Sequence, residues 1–186
     1  MDFLIIGVGG NGQSYFMQFL QKKSFRLNHA SDHDGLKHIS CPLKLSVEQK
    51  KCKIIYVYNK TFDAICSHYR RGWPLIQMNK ININKNTCRI KNVEDYFALT
   101  EKSLTDHFGC KDHFLRWYKY DFPNGIYFLN LNEINKNELS NFLKCDISEL
   151  DDLHFDSNKR HSYDNLKMNY PLSNIMYTNI DNYIQD

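Results

Sequence analysis

A glycine-rich run near the N-terminus carries the strongest chemical signal in the sequence. The run Gly7-Val8-Gly9-Gly10-Asn11-Gly12-Gln13-Ser14 follows an apolar stretch and precedes apolar residues at helical spacing. Backbone N–H groups in a tight glycine turn, together with the positive end of the following helix, attract an anion. We therefore predict a phosphate-binding loop. Its predicted cofactor-binding residues are Gly9, Gly10, Asn11, Gly12, Gln13 and Ser14.

Two known nucleotide-binding motifs bear on this run. Gly7-x-Gly9-x-x-Gly12 has the literal spacing of the dinucleotide fingerprint, which indicates an NAD(P)-binding protein of the Rossmann type. That fingerprint normally continues into a second buried strand that ends in an acidic residue. Asp32 and Asp34 lie at about the right distance, but residues 24–33 are polar for a buried strand. The Walker A motif is absent because no Lys-Ser/Thr pair follows the glycines.

A group of possible metal ligands occurs further along the chain. His107, Cys110 and His113 combine the imidazole and thiolate groups that bind zinc. These positions drift around a helix, Gly109 interrupts it, and no fourth ligand is evident in the sequence. We expect no metal site. The six cysteines form no CxxC pair, and we expect them to be free thiols.

The elements that must position these residues alternate along the chain. Apolar runs predict strands over residues 3–8, 53–58 and 125–131. Helical spacing predicts helices from residue 13 and over residues 61–71, 93–104, 112–120 and 135–143. Residues 24–40 and 79–91 are expected to be a loop and an exposed excursion. This alternation predicts an α/β fold: a three-layer sandwich with a mostly parallel central sheet and a P-loop-like strand-loop-helix unit at the N-terminus.

Length and charge limit the possible organisation and partners. The 186 residues suit one domain, 1–186, with a polar tail from about residue 151 in which no helix is predicted. The formal charge of +3 is much smaller than expected for a protein with the clustered basic face typical of nucleic-acid binding. No apolar run reaches the ~20 residues needed to cross a bilayer. We therefore expect a soluble, intracellular, cytoplasmic protein with no nucleic-acid or membrane partner; the oligomeric state is open.

The order of features from residue 3 to residue 145 resembles the sulfotransferase family, whose members transfer a sulfuryl group from 3′-phosphoadenosine 5′-phosphosulfate (PAPS). Gly12-Gln13-Ser14-Tyr15-Phe16 is similar to the end of the family's 5′-phosphosulfate loop. Lys37-His38, followed by Cys41-Pro42-Leu43, resembles the segment that carries the family's catalytic base. Residues 53–69 resemble the strand and helix that bind the 3′-phosphate, and residues 126–145 the late strand and helix.

The resemblance implies roles for individual residues. His38 corresponds to the catalytic base, and the loop amides with the Ser14 hydroxyl would hold the 5′-phosphosulfate. Asn59 and Ser67 fall at the 3′-phosphate site, to which the tail residues Lys159 and Arg160 would add positive charge.

Two charged positions of the family are changed in this sequence. The family's loop lysine falls on Gly10, and its 3′-phosphate arginine falls on Asn59. Lys60, Arg70 or Arg71 are candidates to compensate for the arginine. Two functions follow: a sulfotransferase that uses PAPS, acts on an unknown hydroxyl or amine acceptor and releases adenosine 3′,5′-bisphosphate, or a catalytically inactive binding protein of the same fold. The Rossmann-type NAD(P)-binding protein is a third possibility.

Overall fold

A computed structural model of the chain describes residues 1–10, 12–84, 89–151 and 163–185. Its centre is a sheet of three parallel strands, β1 (Phe3–Ile6), β2 (Lys53–Tyr58) and β3 (Ile126–Asn130), in that spatial order. In register, Ile5 lies beside Ile55, and Ile55 lies beside Tyr127. The three predicted strands are confirmed.

Nine α-helices surround the sheet in the described residues. They are α1 (Gln13–Lys22), α2 (Val47–Lys50), α3 (Thr61–Arg70), α4 (Pro74–Ile81), α5 (Val93–Ser103), α6 (Cys110–Tyr118), α7 (Lys136–Leu143), α8 (Asp164–Asn169) and α9 (Pro171–Gln185). Two short 3₁₀ helices occupy Pro42–Lys44 and Ser148–Asp151. None of the helices within these described stretches combines the length and apolarity needed to cross a bilayer.

Helices cover both faces of the sheet because successive strand residues point to opposite sides. One face carries Ile5, Ile55 and Val57, which belong to a core cluster with residues of α1 and α7. The other face carries Ile6 and Tyr56, whose cluster includes residues of α6. The structure therefore confirms the predicted three-layer α/β sandwich.

The C-terminal part of the chain is helical, so the prediction of a tail without helices was wrong. Ser173, Tyr177 and Ile180 of α9 recur at i, i+4 and i+7 and are buried. Tyr177 and Ile180 join a core cluster with residues of α3 and α5. The expected exposed excursion was also wrong at its start, because α4 reaches Ile81, which is fully buried.

The outer edge of β1 is held by an asparagine from the loop after α1. The N–H of Ile5 donates to Asn28 Oδ1 at 2.8 Å, and Asn28 Nδ2 donates to the carbonyl of Ile5 at 3.0 Å. Asn28 is almost completely buried, and a single bridge joins Phe3 to Leu27 beside it. This amide fixes the loop that leads to Lys37 and His38.

Candidate functional site

The glycine loop connects the carboxyl end of β1 to the N-terminus of α1. Gly9, Gly10 and Gly12 have φ angles of +85°, +78° and +86°, which side-chain-bearing residues rarely adopt. Gly12 is the N-cap of α1 and supplies no side-chain acceptor to the first turn, where the positive end of the helix dipole lies. Asn11 lies outside the described residues.

The glycines allow other parts of the protein to pack directly on the loop. A Cβ on Gly9 would lie 2.7 Å from Cε1 of His38, and a Cβ on Gly10 would lie 2.7 Å from the carbonyl oxygen of Ala64 in α3. The sequence predicts these glycines as the tight turn of an anion-binding loop. The structure adds a second reason, because α3 leaves no room for a side chain at position 10.

A lysine from elsewhere in the chain reaches the loop. The Lys37 ammonium contacts the hydroxyl of Ser14 at the start of α1 and donates to the carbonyl of Ala30 at 2.7 Å. These contacts use two of its three N–H groups. Burial lowers the pKa of Lys37, the charge of Asp32 raises it, and those of Arg71 and Lys80 lower it. The positive charges of Arg71 and Lys80 therefore lie close enough to Lys37 to act on its ammonium group.

Asp32 holds this lysine segment in place. Its Oδ1 accepts from the Lys37 N–H at 2.9 Å, and its Oδ2 forms an ion pair with Lys80 of α4. The side chain of Asp32 is only 6% exposed. Asp34 accepts from the N–H groups of His29 and Leu36 within a turn. Protein donors therefore already occupy the Asp32 carboxylate. Residues 24–33 form no strand beyond the bridge at Leu27. The Rossmann alternative requires a ribose-binding acid at the end of a second strand, and this geometry does not provide one.

His38 lies under the loop in one defined tautomer. Its Nδ1 is 2.7 Å from the carbonyl oxygen of Gly7. A carbonyl oxygen can only accept, so Nδ1 carries the proton and Nε2 keeps its lone pair. Nε2 lies 3.2 Å from the place that a Cβ on Gly9 would occupy. Burial lowers the pKa of His38 to about 4, so the ring is neutral at pH 7.

A second histidine borders the loop from α3. His68 is 4% exposed, and its Nε2 is a buried atom without a hydrogen-bond partner in the described residues. That atom lies 3.1 Å from the place of a Cβ on Gly10. Burial, followed by the charges of Arg71 and His38, lowers the pKa of His68 to about 3. His68 is not among the predicted site residues, although it directly follows Ser67 in the sequence.

The predicted site residues divide into those near this centre and those elsewhere. Gly9, Gly10, Gly12, Ser14 and His38 converge at the loop. The side chain of Gln13 is buried and donates to the carbonyls of Ile5 and Lys37, so it supports the loop from inside. Lys159 and Arg160 lie outside the described residues.

The two residues predicted for the 3′-phosphate lie in different surroundings. Ser67 is half-buried on α3, and its carbonyl accepts from Nε of Arg71 at 3.0 Å. Asn59, at the end of β2, contacts Asn132 beyond β3 and the N–H of Lys60. The charge of Arg71 acts on Lys37 and His68, whereas Asn59 lines a separate cleft. Of the three basic residues named as substitutes for the family's arginine, Arg71 is electrostatically coupled to the loop.

The residues considered as metal ligands have other contacts. His113 is 2.8 Å from the hydroxyl of Tyr56 and 3.1 Å from the carbonyl oxygen of Ile39, and His107 contacts Ser103. Within the described parts of the chain, no three His, Cys, Asp or Glu side chains are grouped to hold a metal ion. Five described cysteines are free thiols: Cys41, Cys52, Cys66, Cys110 and Cys145.

A solved structure resembles this chain at low sequence identity. No protein-family model matches the chain, and no curated protein sequence matches it. A crystal structure of mouse sulfotransferase SULT7A1 complexed with PAP is similar to this chain, with 18% sequence identity and a TM-score of 0.48. The match covers 82% of this chain and 62% of that chain.

Proposed function

We propose that this chain binds PAPS and transfers its sulfuryl group to a hydroxyl or amine acceptor. The observation that carries the proposal is the buried Lys37 ammonium, which contacts the Ser14 hydroxyl at the positive end of α1. A buried cation beside a helix N-terminus suits a phosphate or sulfate group. Lys37 thereby supplies, from a different segment, the charge that is missing at Gly10.

The surroundings of the loop fit such an anion. One Lys37 N–H is not used by the contacts with Ser14 and Ala30 and could donate to such an anion. Arg71 and Lys80 add positive charge nearby, as their effect on the pKa of Lys37 indicates. PAPS, when bound, supplies an activated sulfuryl group and a phosphate leaving group.

His38 is the proposed catalytic base. Its unprotonated Nε2 faces the loop, where it would take the proton from the acceptor as the acceptor's oxygen or nitrogen bonds to sulfur and the bond from sulfur to the phosphate oxygen breaks. Lys37 would neutralise the charge that develops on the departing phosphate. A pKa near 4 makes the free imidazole a weak base, and a bound anion would raise that pKa by favouring the imidazolium.

Arg71 is the proposed partner of the 3′-phosphate, with Ser67 beside it. Arg71 Nε already lies against the Ser67 backbone, and the guanidinium presents further donors in a planar fork. Asn59 carries no charge and lies in a cleft with three carboxylates, which disfavours a phosphate there.

Calorimetric titration with adenosine 3′,5′-bisphosphate tests the binding part of the proposal. We expect Lys37→Met to weaken binding about 10- to 100-fold, because a hydrogen bond to a charged group contributes about 1.5–3 kcal/mol. Lys22→Met, at the far end of α1, is the matched control and should bind as the unmodified chain does. Absence of binding to the unmodified chain at millimolar nucleotide would overturn the proposal.

Transfer of labelled sulfuryl from PAPS to a panel of phenols, alcohols, amines and sugars tests the catalytic part. We expect His38→Ala to abolish transfer while the nucleotide still binds. Nucleotide binding without transfer to any acceptor would instead support the inactive binding protein, which the low pKa of His38 favours.

A further inference from the structure

A second cleft opens at the carboxyl edge of the sheet, beyond the ends of β2 and β3. Its volume is about 360 Å³, and it lies between the start of α3 and one face of α9. Ligands of parallel α/β sheets bind outside the carboxyl ends of the strands. A volume of this size is at the lower end of the range for small-molecule sites. The proposed nucleotide site uses a different part of the same edge, after β1.

Uncharged amides and charged side chains line this cleft in equal number. Five of the lining residues are Asn59, Asn130, Asn132, Asn174 and Asn182. Asn59 Oδ1 already accepts from the Asn132 amide and the Lys60 N–H, and Asn130 Oδ1 accepts from the Asn132 N–H. On α9, the uncharged amides of Asn174 and Asn182 each carry two N–H donors and one oxygen acceptor. The hydroxyl of Thr178 adds another donor and acceptor between the positions of Asn174 and Asn182 on α9.

Five charged residues also line the cleft: Lys60, Asp63, Glu133, Lys167 and Asp181. Lys167 of α8 forms an ion pair with Asp63 of α3 at 2.7 Å. Asp181 accepts from the N–H of Thr61 at 2.9 Å and from its hydroxyl, which joins α9 to the start of α3. Burial raises the pKa of Asp181 to about 6. An anionic ligand would meet these carboxylates, whereas an uncharged ligand that both donates and accepts hydrogen bonds would meet the amides.

We infer that this asparagine cleft binds a neutral polyhydroxylated ligand of the size of a mono- or disaccharide. Each sugar hydroxyl donates and accepts, which matches the amide groups at the carboxyl ends of β2 and β3 and along α9. The inference does not depend on the proposed sulfuryl transfer, because it uses none of the residues that surround the glycine loop.

Two-dimensional ¹H–¹⁵N NMR of the full chain, titrated separately with maltose and with N,N′-diacetylchitobiose, tests this inference. We expect at least one sugar to give saturable shifts at the amides of Asn59, Asn132, Asn174 and Asn182. Asn174→Ala and Asn182→Ala should each weaken binding about tenfold, the value of one lost hydrogen bond of about 1.4 kcal/mol. Asn182 is exposed, so its variant keeps the test valid if the half-buried Asn174 proves necessary for folding.

Asn179→Ala is the matched control, since this asparagine is exposed on the same helix and does not line the cleft. It should leave sugar binding unchanged. The inference is overturned if neither sugar gives saturable shifts, if Asn179→Ala weakens binding as much as Asn182→Ala, or if adenosine 3′,5′-bisphosphate displaces the sugar competitively. Lys37→Met separates the two sites, because it should weaken the nucleotide and leave the sugar unaffected.

Discussion

Replacement of Gly10 by alanine tests whether the packing of α3 excludes a side chain from the glycine loop. Gly10 has a φ of +78°, and a left-handed conformation costs an alanine about 1–2 kcal/mol. The added Cβ would also lie 2.7 Å from the carbonyl oxygen of Ala64 and 3.0 Å from its Cα. Overpacking against backbone adds about 1–3 kcal/mol. We expect Gly10→Ala to lower the free energy of unfolding by about 2–5 kcal/mol.

Gly35→Ala isolates the contribution of the clash. Gly35 has a similar φ of +68°, but a Cβ there has no atom within 4 Å. The conformational cost and the effect of alanine on the unfolded chain are therefore nearly the same for both variants. Urea denaturation followed by circular dichroism measures both, and the loss for Gly10→Ala should exceed that for Gly35→Ala by about 1–3 kcal/mol. Equal losses would refute the argument.

The same reasoning applies to introducing a lysine at position 10. Gly10→Lys should destabilise the chain at least as much as Gly10→Ala, and it should not tighten the binding of adenosine 3′,5′-bisphosphate. A stable Gly10→Lys variant with higher affinity would show that the loop opens to admit a side chain and that Lys37 does not replace it.

Three further predictions follow from the charges and hydrogen bonds. Arg71→Met should weaken adenosine 3′,5′-bisphosphate about 10- to 100-fold but leave adenosine 5′-monophosphate nearly unchanged, and Arg70→Met, its exposed neighbour, should alter neither titration. Thr61→Val should lower the free energy of unfolding by about 1–2 kcal/mol in urea, because the half-buried carboxylate of Asp181 loses a donor, whereas the exposed Thr105→Val should cost less. Stability should also fall from pH 7 to pH 4, since the unfolded chain takes up protons below pH 6.5 at histidines that stay neutral when folded. These are His38, with a pKa of about 4, and His68 and His113, with pKa values of about 3. The contribution of Asp181 to the pH dependence of stability has the opposite sign. Its pKa of about 6 in the folded chain lets this state bind a proton that the unfolded chain has already released. The stability that this group contributes is therefore lost as the pH rises. For these four groups the net difference of about two protons gives about 3 kcal/mol per pH unit near pH 5. The raised pKa of the buried Asp106 acts in the same direction as that of Asp181 and reduces this slope. Urea denaturation across this range measures the change, and a flat profile would contradict the prediction.

The central fold could be predicted because its sequence patterns are strong. The apolar runs of β1 and β2 lead directly into helical spacing, and the structure places both strands within one or two residues of their predicted ends. In α9 the buried positions are few and separated by asparagines, so the amphipathic pattern is weak. That helix is stabilised by contacts with α3 and α5, which are distant in sequence.

The candidate site was predictable only where the motif is local. The loop glycines and His38 follow from residue type and order. The position of the Lys37 ammonium depends on Asp32 and Ala30, and that of His68 depends on how closely α3 approaches Gly10. Asp32 and Ala30 lie only five and seven residues from Lys37, whereas Gly10 and His68 lie on elements that are distant in sequence. Residue spacing in a single sequence does not show which of these groups meet in the fold.

The amide of Asn28 has a consequence for self-association. β1 is at one end of the sheet, and an exposed end strand offers its backbone to strands of other molecules. Asn28 occupies both the N–H and the carbonyl of Ile5, so the middle of this strand has no free groups with which to extend the sheet. The Asn28 side chain, which anchors the loop that leads to Lys37, therefore also prevents the apolar strand β1 from pairing with strands of other molecules and aggregating.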